Sequence, residues 1–521
     1  MSEALPGVPA APPAPPPRQA AAVVLFQRTL EGLQVFWLER EQKLRFAGGF
    51  FAFPGGRVDQ ADALIPVTGL TAPESKWVVT AARELFEETG VLKARGAAKL
   101  ASLELDELRR ALLSETIDFG ALLQRRGLTL HAEDFVAAGR WITPPYVPGG
   151  FDARFFLVES EPSHLAQVWK GELASGEWIT PREALARWEA GTALLHPPNL
   201  HGLQVMSHFT DVPTAARALS TPSFCTNFVS ERIEFQRGIT LFALVTPTLP
   251  PATHTNAYVL GTGECLVIDP GSPDDEEIDR LVGFLKAIES EGMKAKAIVL
   301  THHHGDHVGG VRRLVDVLGL PVWAHERTAD RSPVPVSRLL SDGEVIELAG
   351  PMPMKWKVLH TPGHARGHLT LVDENSRAAI VGDMVAGYGT IVIDPPEGEM
   401  AEYLRQLARL EALPVGTLYP SHGPVIPDGP GKLQEYALHR AWREAKVLEA
   451  IASFGKPVEL SAVVPRAYDD VAAFVWPIAE RNTVAIIEKL VAEGRVERTT
   501  STHPNRPLPE GERAFFIPAK E

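Results

Sequence analysis

Only two cysteines, Cys225 and Cys265, occur in the 521 residues. Two thiols exclude a disulfide framework and a four-thiolate metal site, and they fit a reducing compartment. Positive charge is also in deficit: 51 Lys and Arg face 65 Asp and Glu, a net charge of −14. That balance keeps a protein in solution and argues against tight non-specific binding to nucleic acid, because phosphate contacts need basic surface. A local basic groove stays open. No apolar run approaches the ~20 residues that span a bilayer. The N-terminus offers Pro and Ala where a secretory signal would place a charged region before an apolar one. The expectation is a cytoplasmic protein with no membrane partner.

A chain of this length exceeds what one hydrophobic core supports, so several domains are expected. Residues 1–19 are Pro/Ala-rich, carry almost nothing to bury, and are expected as a disordered tail. From Ala20 the runs AAVVLF and LQVFWL, separated by Glu31–Gly32, predict a β-hairpin. A glycine-rich segment (FAGGFFAFPGGRVD) follows, then a helix over 74–89, then a further α/β stretch with RFFLVES as strand and PREALARWEAG as helix. The pattern weakens over 222–235, which sets one boundary at 225/226. Beyond it, AYVLGTG and ECLVIDPGS predict two strands, DDEEIDRLVGFLKAIESEG an amphipathic helix, and KAIVLT a buried strand. The Pro/Gly-rich run PVIPDGPGK sets a second boundary at 430/431. Residues 431–521 predict three helices and then a hairpin, RVERTT with AFFIPA, which is the order of a winged-helix module. The fold class is α/β multidomain, with domains over 20–225, 226–430 and 431–521.

Chemistry concentrates first at His302, His304, Asp306 and His307, an HxHxDH pattern directly after the strand KAIVLT. Imidazole and carboxylate are the ligands zinc takes when thiolates are absent. Alternate residues of an extended loop point to opposite sides, so one loop can serve two ions. A surface histidine-rich turn would explain the cluster alone. It would not explain His364 in HTPGH, Asp383 in VGD after the strand AAIV, and His422 in YPSHG after VGTLY. Each is a ligand type at a strand end, where α/β sheets place their chemistry.

In this order the set resembles the metallo-β-lactamase superfamily, with its αββα sandwich. The resemblance implies two zinc ions: His302, His304 and His364 on the first, Asp306, His307 and His422 on the second, and Asp383 bridging. Two such ions lower the pKa of a shared water and stabilise charge on the attacked group. Asp306 and Asp383 then count among the catalytic residues. Asp269 in LVIDPG matches the family aspartate that orients a metal histidine; a turn-initiating Asp before Pro-Gly is the alternative. His303 is a bystander by position, and His368 a group behind the ligands. With 39 positions from Asp383 to His422, no room remains for the cap domain of the RNA-processing branch. The segment GDMVAG with GTIVIDPPEG, and HRAWREAKVLEAI, are similar to the β-lactamase-like-protein-2 type, which carries a C-terminal winged helix and includes a single-strand-specific endoribonuclease. The glyoxalase II type shares the ligands and acts on thioesters. Residues 431–521 hold 13 basic and 13 acidic side chains, so a packing or homodimerisation role stands beside an RNA-gripping one. Arg440, Arg443, Arg481, Lys489, Arg495 and Arg498 are the candidate phosphate contacts.

Earlier in the chain, Arg83-Glu84-Leu85-Phe86-Glu87-Glu88-Thr89-Gly90-Val91 fits the second half of the Nudix box. At 100° per residue Glu84, Glu87 and Glu88 share a helical face, opposite Val78, Val79, Ala82, Leu85 and Phe86. Such carboxylates suit Mg²⁺, a hard cation that wants oxygen; a solvated glutamate face is the plainer alternative. The first half of the box is irregular. Gly56 and Arg83 lie 27 positions apart, so a loop is inserted, and Ser75 fills the slot of the first box glutamate, with Glu74 beside it. Interrupted boxes and the segment RWITPPYVPGGFDARFFLV resemble the type-19 Nudix branch, which includes CoA diphosphatases and folds as an α/β/α sandwich. Arg45, Gly49 and FPGG match the later half of a CoA-type signature whose earlier half is missing.

Together these motifs point to a bifunctional metal-dependent hydrolase. Glu84, Glu87 and Glu88 would hold magnesium for cleavage of a small-molecule phosphoanhydride, with Glu84 as general base. The zinc site would hydrolyse an ester, leaning to single-stranded RNA, with an acyl-CoA-type thioester as the alternative. A binding-only Nudix domain is a further alternative.

Overall fold

The computed structural model describes residues 16–30, 32–44, 47–144, 150–160, 165–220, 232–249, 252–499 and 515–519. Among them the chain divides into two compact units, one up to Thr240 and one from Leu241 onward. The expected boundary at 225/226, Arg45 and Cys225 lie outside the described residues.

In the first unit the hairpin forms as expected, with Arg18–Thr29 antiparallel to Gly32–Arg40. The strand starts two residues before the expected end of the tail. Polar Arg18 and Gln19 give no strand signal, but they pair in parallel with Phe151 and Asp152 of Phe151–Glu159. The sheet runs Leu194–Leu195, Phe50–Ala52, Gly32–Arg40, Arg18–Thr29, Phe151–Glu159, Val136–Ile142. Successive side chains of a strand alternate faces, and here both faces are covered. Val23 and Leu25 pack with Leu85, Phe86 and Leu108, whereas Val24 and Phe26 pack with Trp188, Leu203 and Leu219. That double burial is why the strand reads as an unbroken apolar run. The helix Ala72–Thr89 lies on the first face and stops at Gly90, whose φ of 76° is the left-handed conformation glycine adopts most easily.

The second unit holds two sheets. One is entered by the strand Ile239–Val245, which straddles the division, and runs on through His254–Leu260, Glu264–Ile268, Lys294–Val299 and Val322–Ala324 to Arg338–Leu339. The other has five: Val345–Leu348, Met354–His360, Leu369–Asp373, Ala378–Gly382 and Thr417–Pro420. Tyr258 and Tyr419 meet edge to face between them, 5.8 Å apart, and the Tyr258 hydroxyl donates to the Pro420 carbonyl at 2.6 Å. Helices Asp275–Ser290 and Val311–Leu318 pack on the outer side of the first sheet through Ile278, Leu281 and Leu314. Met400–Glu411 packs on the second through Tyr403, Leu407 and Leu410. Cys265 is wholly buried in the first sheet, and burial pushes its thiol up to about 12.

Three C-terminal helices, Gly429–Ala452, Leu460–Ala467 and Trp476–Ala492, carry a small sheet in which Phe515–Pro518 pairs with both Val458–Glu459 and Val496–Thr499. Val447, Ile486 and Leu490 belong to the same core cluster as Leu407 and Leu410. The winged helix is therefore continuous with the second sheet's outer layer. No helix among the described residues is long and apolar enough to cross a membrane.

Candidate metal centre and a carboxylate face

Parallel pairing of Glu264–Ile268 with Lys294–Val299 brings the two following loops side by side. Asp269 accepts hydrogen bonds from the Thr301 backbone N–H (2.8 Å) and hydroxyl (2.5 Å), and from His307 Nδ1 at 2.8 Å. The carboxylate thus turns the Nε2 lone pair of His307 inward, which decides between the two readings of this residue in favour of the orienting one. Close approach is built in here: a Cβ on Gly271 would sit 1.8 Å from the Asp306 carbonyl.

Three imidazole nitrogens converge. His302 Nε2 lies 2.9 Å from His304 Nδ1, and His364 Nε2 lies 3.0 Å from the same atom. The far nitrogens are already engaged, His302 Nδ1 with the Thr301 hydroxyl (3.0 Å) and His364 Nδ1 with the Val392 carbonyl (2.8 Å). His302 Nε2 and His364 Nε2 therefore both present lone pairs to His304 Nδ1, and a proton on that one atom could serve only one of them. Burial pushes all three rings down, His304 to about 2 and His302 well below the usual imidazole range. Neutral lone pairs aimed at a common point repel unless a cation lies between them.

Asp306, His307 and His422 form a second group with one ligand atom each within 4.8 Å of the others. His422 Nδ1 donates to the His254 carbonyl at 3.2 Å, which leaves its Nε2 facing Asp306 at 3.4 Å. Asp383 stands between the groups, with Oδ2 3.4 Å from His364 and Oδ1 3.4 Å from His422 and 3.7 Å from His307. The buried His307 Nε2 and Asp383 Oδ1 have no hydrogen-bond partner. Orphaned buried polar atoms are costly, and both are of ligand type and point into the same space. The residues fit a metal site. Burial opposes the charge on His307 and His422, yet Asp383 and Asp306 raise both; burial likewise opposes charge on Asp383, yet His422 and His307 hold it well below the usual carboxylate range. Asp269, His302 and His307 also lie within 4.8 Å, but the Asp269 oxygens are occupied by Thr301 and His307, so its role is to orient.

His368 lies behind the site. Its Nε2 accepts the Asp383 backbone N–H at 3.0 Å, and its Nδ1 pairs with the Thr361 hydroxyl at 2.8 Å. Gly382, at φ 49°, makes room for that ring, since a Cβ would come within 2.5 Å of it. His303 pairs with Arg331 at 3.1 Å and is in none of the converging groups.

The carboxylate face of Ala72–Thr89 is organised differently. Arg83 joins Glu84 (2.9 Å) and Glu87 (3.1 Å), and its other side is held by Asp62 at 3.0 and 3.1 Å. Asp62 is buried and comes from the inserted loop; no motif spacing marked it, and a lone Asp in a polar insert gives no signal. Glu88 accepts the Gly55 N–H at 2.8 Å. Burial pushes Glu84 up to about 7 and Glu88 to about 8, with mutual repulsion adding to the second. Among the described residues, Glu84, Glu87 and Glu88 do not bring one oxygen each within 4.8 Å of the others, as the histidine groups do with their ligand atoms. Ser75 is buried and bonds the Ala72 carbonyl at 2.9 Å, so it takes no part in the face.

The candidate phosphate contacts of the winged helix are mostly committed elsewhere. Arg440 and Arg443 are 4% and 3% exposed, a correction to their expected surface role. Their spacing with Leu433, Tyr436 and Val447 places them on the buried stripe of Gly429–Ala452, a signal the sequence contained. Arg443 pairs with Asp470, Arg481 with Asp394, and Lys489 and Arg495 both with Glu444 and Glu493. Arg498 is exposed and lies over the Phe516 ring at 5.8 Å.

Residues 250–422 match the model of the metallo-beta-lactamase superfamily, and residues 460–503 that of the beta-lactamase associated winged helix domain. The chain is similar to the beta-lactamase-like protein 2 homolog of Caenorhabditis elegans, 30% identical over 249 residues, which cover 47% of this chain and 80% of that protein. It is also similar to the lactamase-like protein adaB of Aspergillus niger, 32% identical over 198 residues; here it covers 38% of this chain and spans 58% of the relative's length. Among solved structures, a NUDIX hydrolase from Alicyclobacillus acidocaldarius aligns over 39% of this chain and 97% of its own, with 29% identity and a TM-score of 0.35.

Proposed function

The chain belongs to the metallo-β-lactamase superfamily, and from that premise we propose that its second unit is a dinuclear zinc hydrolase of carboxylic esters, thioesters above all. The observation that carries the metal reading is the pair of orphaned atoms, His307 Nε2 and Asp383 Oδ1, beside three converging ring nitrogens that one shared proton cannot satisfy together. His302, His304 and His364 would hold one ion, Asp306, His307 and His422 the other, with Asp383 between. When bound, the ions activate a shared water and draw charge from the attacked carbonyl. The protein's own part is orientation: Asp269, the Val392 carbonyl and the His254 carbonyl each fix one ligand ring, and His368 holds the backbone of Asp383.

Committed cations favour the thioester over RNA, since a phosphate track needs free basic side chains. The RNA reading keeps the winged helix and the GDMVAG segment as its support. For the first unit we propose Nudix-type, magnesium-dependent cleavage of a phosphoanhydride of the nucleoside-diphosphate or CoA kind. Glu84, Glu87 and Glu88, close together on the helix Ala72–Thr89, would serve as ligands and Glu84 as base.

The test is a panel of acyl-CoA, single-stranded RNA and nucleoside diphosphate conjugates, run with wild type, His304→Ala and Glu87→Gln. His304→Ala should abolish thioester hydrolysis and spare phosphoanhydride cleavage, and Glu87→Gln the reverse. RNA turnover above acyl-CoA turnover, with binding that falls with salt at a slope of about −0.7 per phosphate contact, would transfer the second site to RNA. One variant silencing both reactions in a folded chain would end the two-site proposal.

A further inference from the structure

Between Asp383 and the helix Met400–Glu411 the chain makes a long excursion that borders the metal site. Three consecutive residues of it bond in three directions. The Ile391 carbonyl accepts from Arg440, the Val392 carbonyl accepts from the ligand His364 at 2.8 Å, and the Ile393 N–H donates to the Asn482 side-chain oxygen at 2.9 Å. Arg440 Nη1 also reaches the same Asn482 oxygen at 3.5 Å, so the two side chains form one buried unit, 4% and 6% exposed. Upstream, the Tyr436 hydroxyl accepts from the Ala386 N–H at 2.8 Å and donates to the Gly389 carbonyl at 3.0 Å. Downstream, Arg481 pairs with Asp394 at 2.9 Å. Every one of these anchors comes from Gly429–Ala452 or Trp476–Ala492, the helices of the winged-helix module.

We infer that this module is a clamp for the metal site, with Asn482 and Arg440 as positioning residues that hold the Val392 carbonyl where it fixes the ring of His364. The chemistry is direct. A histidine ligates through Nε2 only while Nδ1 carries the proton, and the Val392 carbonyl is the acceptor that keeps it there. That carbonyl lies between two residues whose backbone groups are tied to Arg440 and Asn482. Releasing the ties frees the acceptor and lets the ring turn. An amide and a guanidinium on adjacent helices are not needed for packing, because apolar side chains fill such positions at lower desolvation cost. Their satisfied backbone bonds give them a reason to be there. The inference rests on the dinuclear reading above and assigns the winged helix a role in that site that needs no nucleic acid.

The experiment uses the intact chain, loaded with zinc or cobalt, and compares wild type with Asn482→Ala, Asn482→Asp and Arg440→Gln. Metal per chain is measured by elemental analysis, affinity by competition with a chelator, and ligand geometry by the visible d–d bands of the cobalt form. Asn482→Ala should weaken one of the two ions by about 10–100-fold, the usual effect of losing a group behind a ligand, and shift the cobalt bands. The other ion should stay bound. Asn482→Asp keeps an acceptor for the Ile393 N–H and should restore both readouts. If Asn482→Ala does not fold, Arg440→Gln carries the same expectation with Asn482 in place. Two ions of unchanged affinity and unchanged cobalt bands in these variants overturn the clamp. Wild type that holds no pair of ions instead overturns the dinuclear reading itself.

Discussion

The histidine centre and the glutamate face spend charge in opposite ways. At the first, ring nitrogens converge, and the acceptors around them (Asp269, the Val392 carbonyl, the His254 carbonyl) hold them in that posture. At the second, Arg83 already lies between Glu84 and Glu87 and is braced by Asp62. One site is left incomplete by its own side chains; the other has largely neutralised itself. The winged helix follows the second pattern, with its cations paired to Glu444, Glu493, Asp394 and Asp470. Counting charged residues does not separate the two cases. What separates them is whether each charge or lone pair already has a partner.

The comparison would break most visibly at Asp383. Asp383→Ala removes the carboxylate shared by both groups, and hydrolysis at that site should fall by roughly a thousandfold, equivalent to about 4 kcal/mol of lost transition-state stabilisation. The metal-free chain should still fold, as its circular dichroism would show. A rate within tenfold of wild type would mean that Asp383 does not join the sites.

The opposite signature belongs to the braced face. Asp62→Asn strips the buried Arg83 of one partner and should destabilise the first unit by about 3 kcal/mol, the lower end for breaking a buried pair, because Glu84 and Glu87 remain. For a unit of this size that is a fall of roughly 6–12 °C in its melting transition. An unchanged transition would show the bracing to be ornamental.

Smallest of the three is the pH effect at Asp470. Its pairing with Arg443 holds it down to about 2, so the stability it adds is present above the ordinary aspartate range and is lost as pH falls through about 2. Its side chain is 35% exposed, and solvent screening limits the contribution to about 1 kcal/mol. Urea melts at pH 5 and pH 2 should therefore converge between wild type and Asp470→Asn at the lower pH. A gap that persists there would place the stabilisation elsewhere.

The ligand-type residues were legible because histidines and aspartates follow short apolar runs closely, so strand end and ligand chemistry nearly coincide at His302, Asp383 and His422, and His364 lies four residues past the end of its strand. The strands of the first unit were legible for the same reason, as at Val23–Phe26. What stayed hidden depends on partners far along the chain. Asp62 meets Arg83 only after the inserted loop folds back, and Asn482 meets Ile393 across 89 residues. Arg440 and Arg443 carry the formal marks of surface residues, and only their register with Leu433, Tyr436 and Val447 points inward. A neutral total of 13 against 13 in that module hid a specific set of pairings.

Cys265 has a consequence of another kind. Its thiol sits one strand away from the HxHxDH loop, in the layer whose end carries Asp269, and at about 12 it is unreactive at neutral pH. A thiol of this type reacts with an alkylating reagent only while its surroundings are open. The residue is thus a natural chronometer for that sheet: the pace at which the peptide around it gains mass in a mild reagent gives the frequency with which the scaffold under the histidines comes apart. Any ion that ties those loops together would slow the clock.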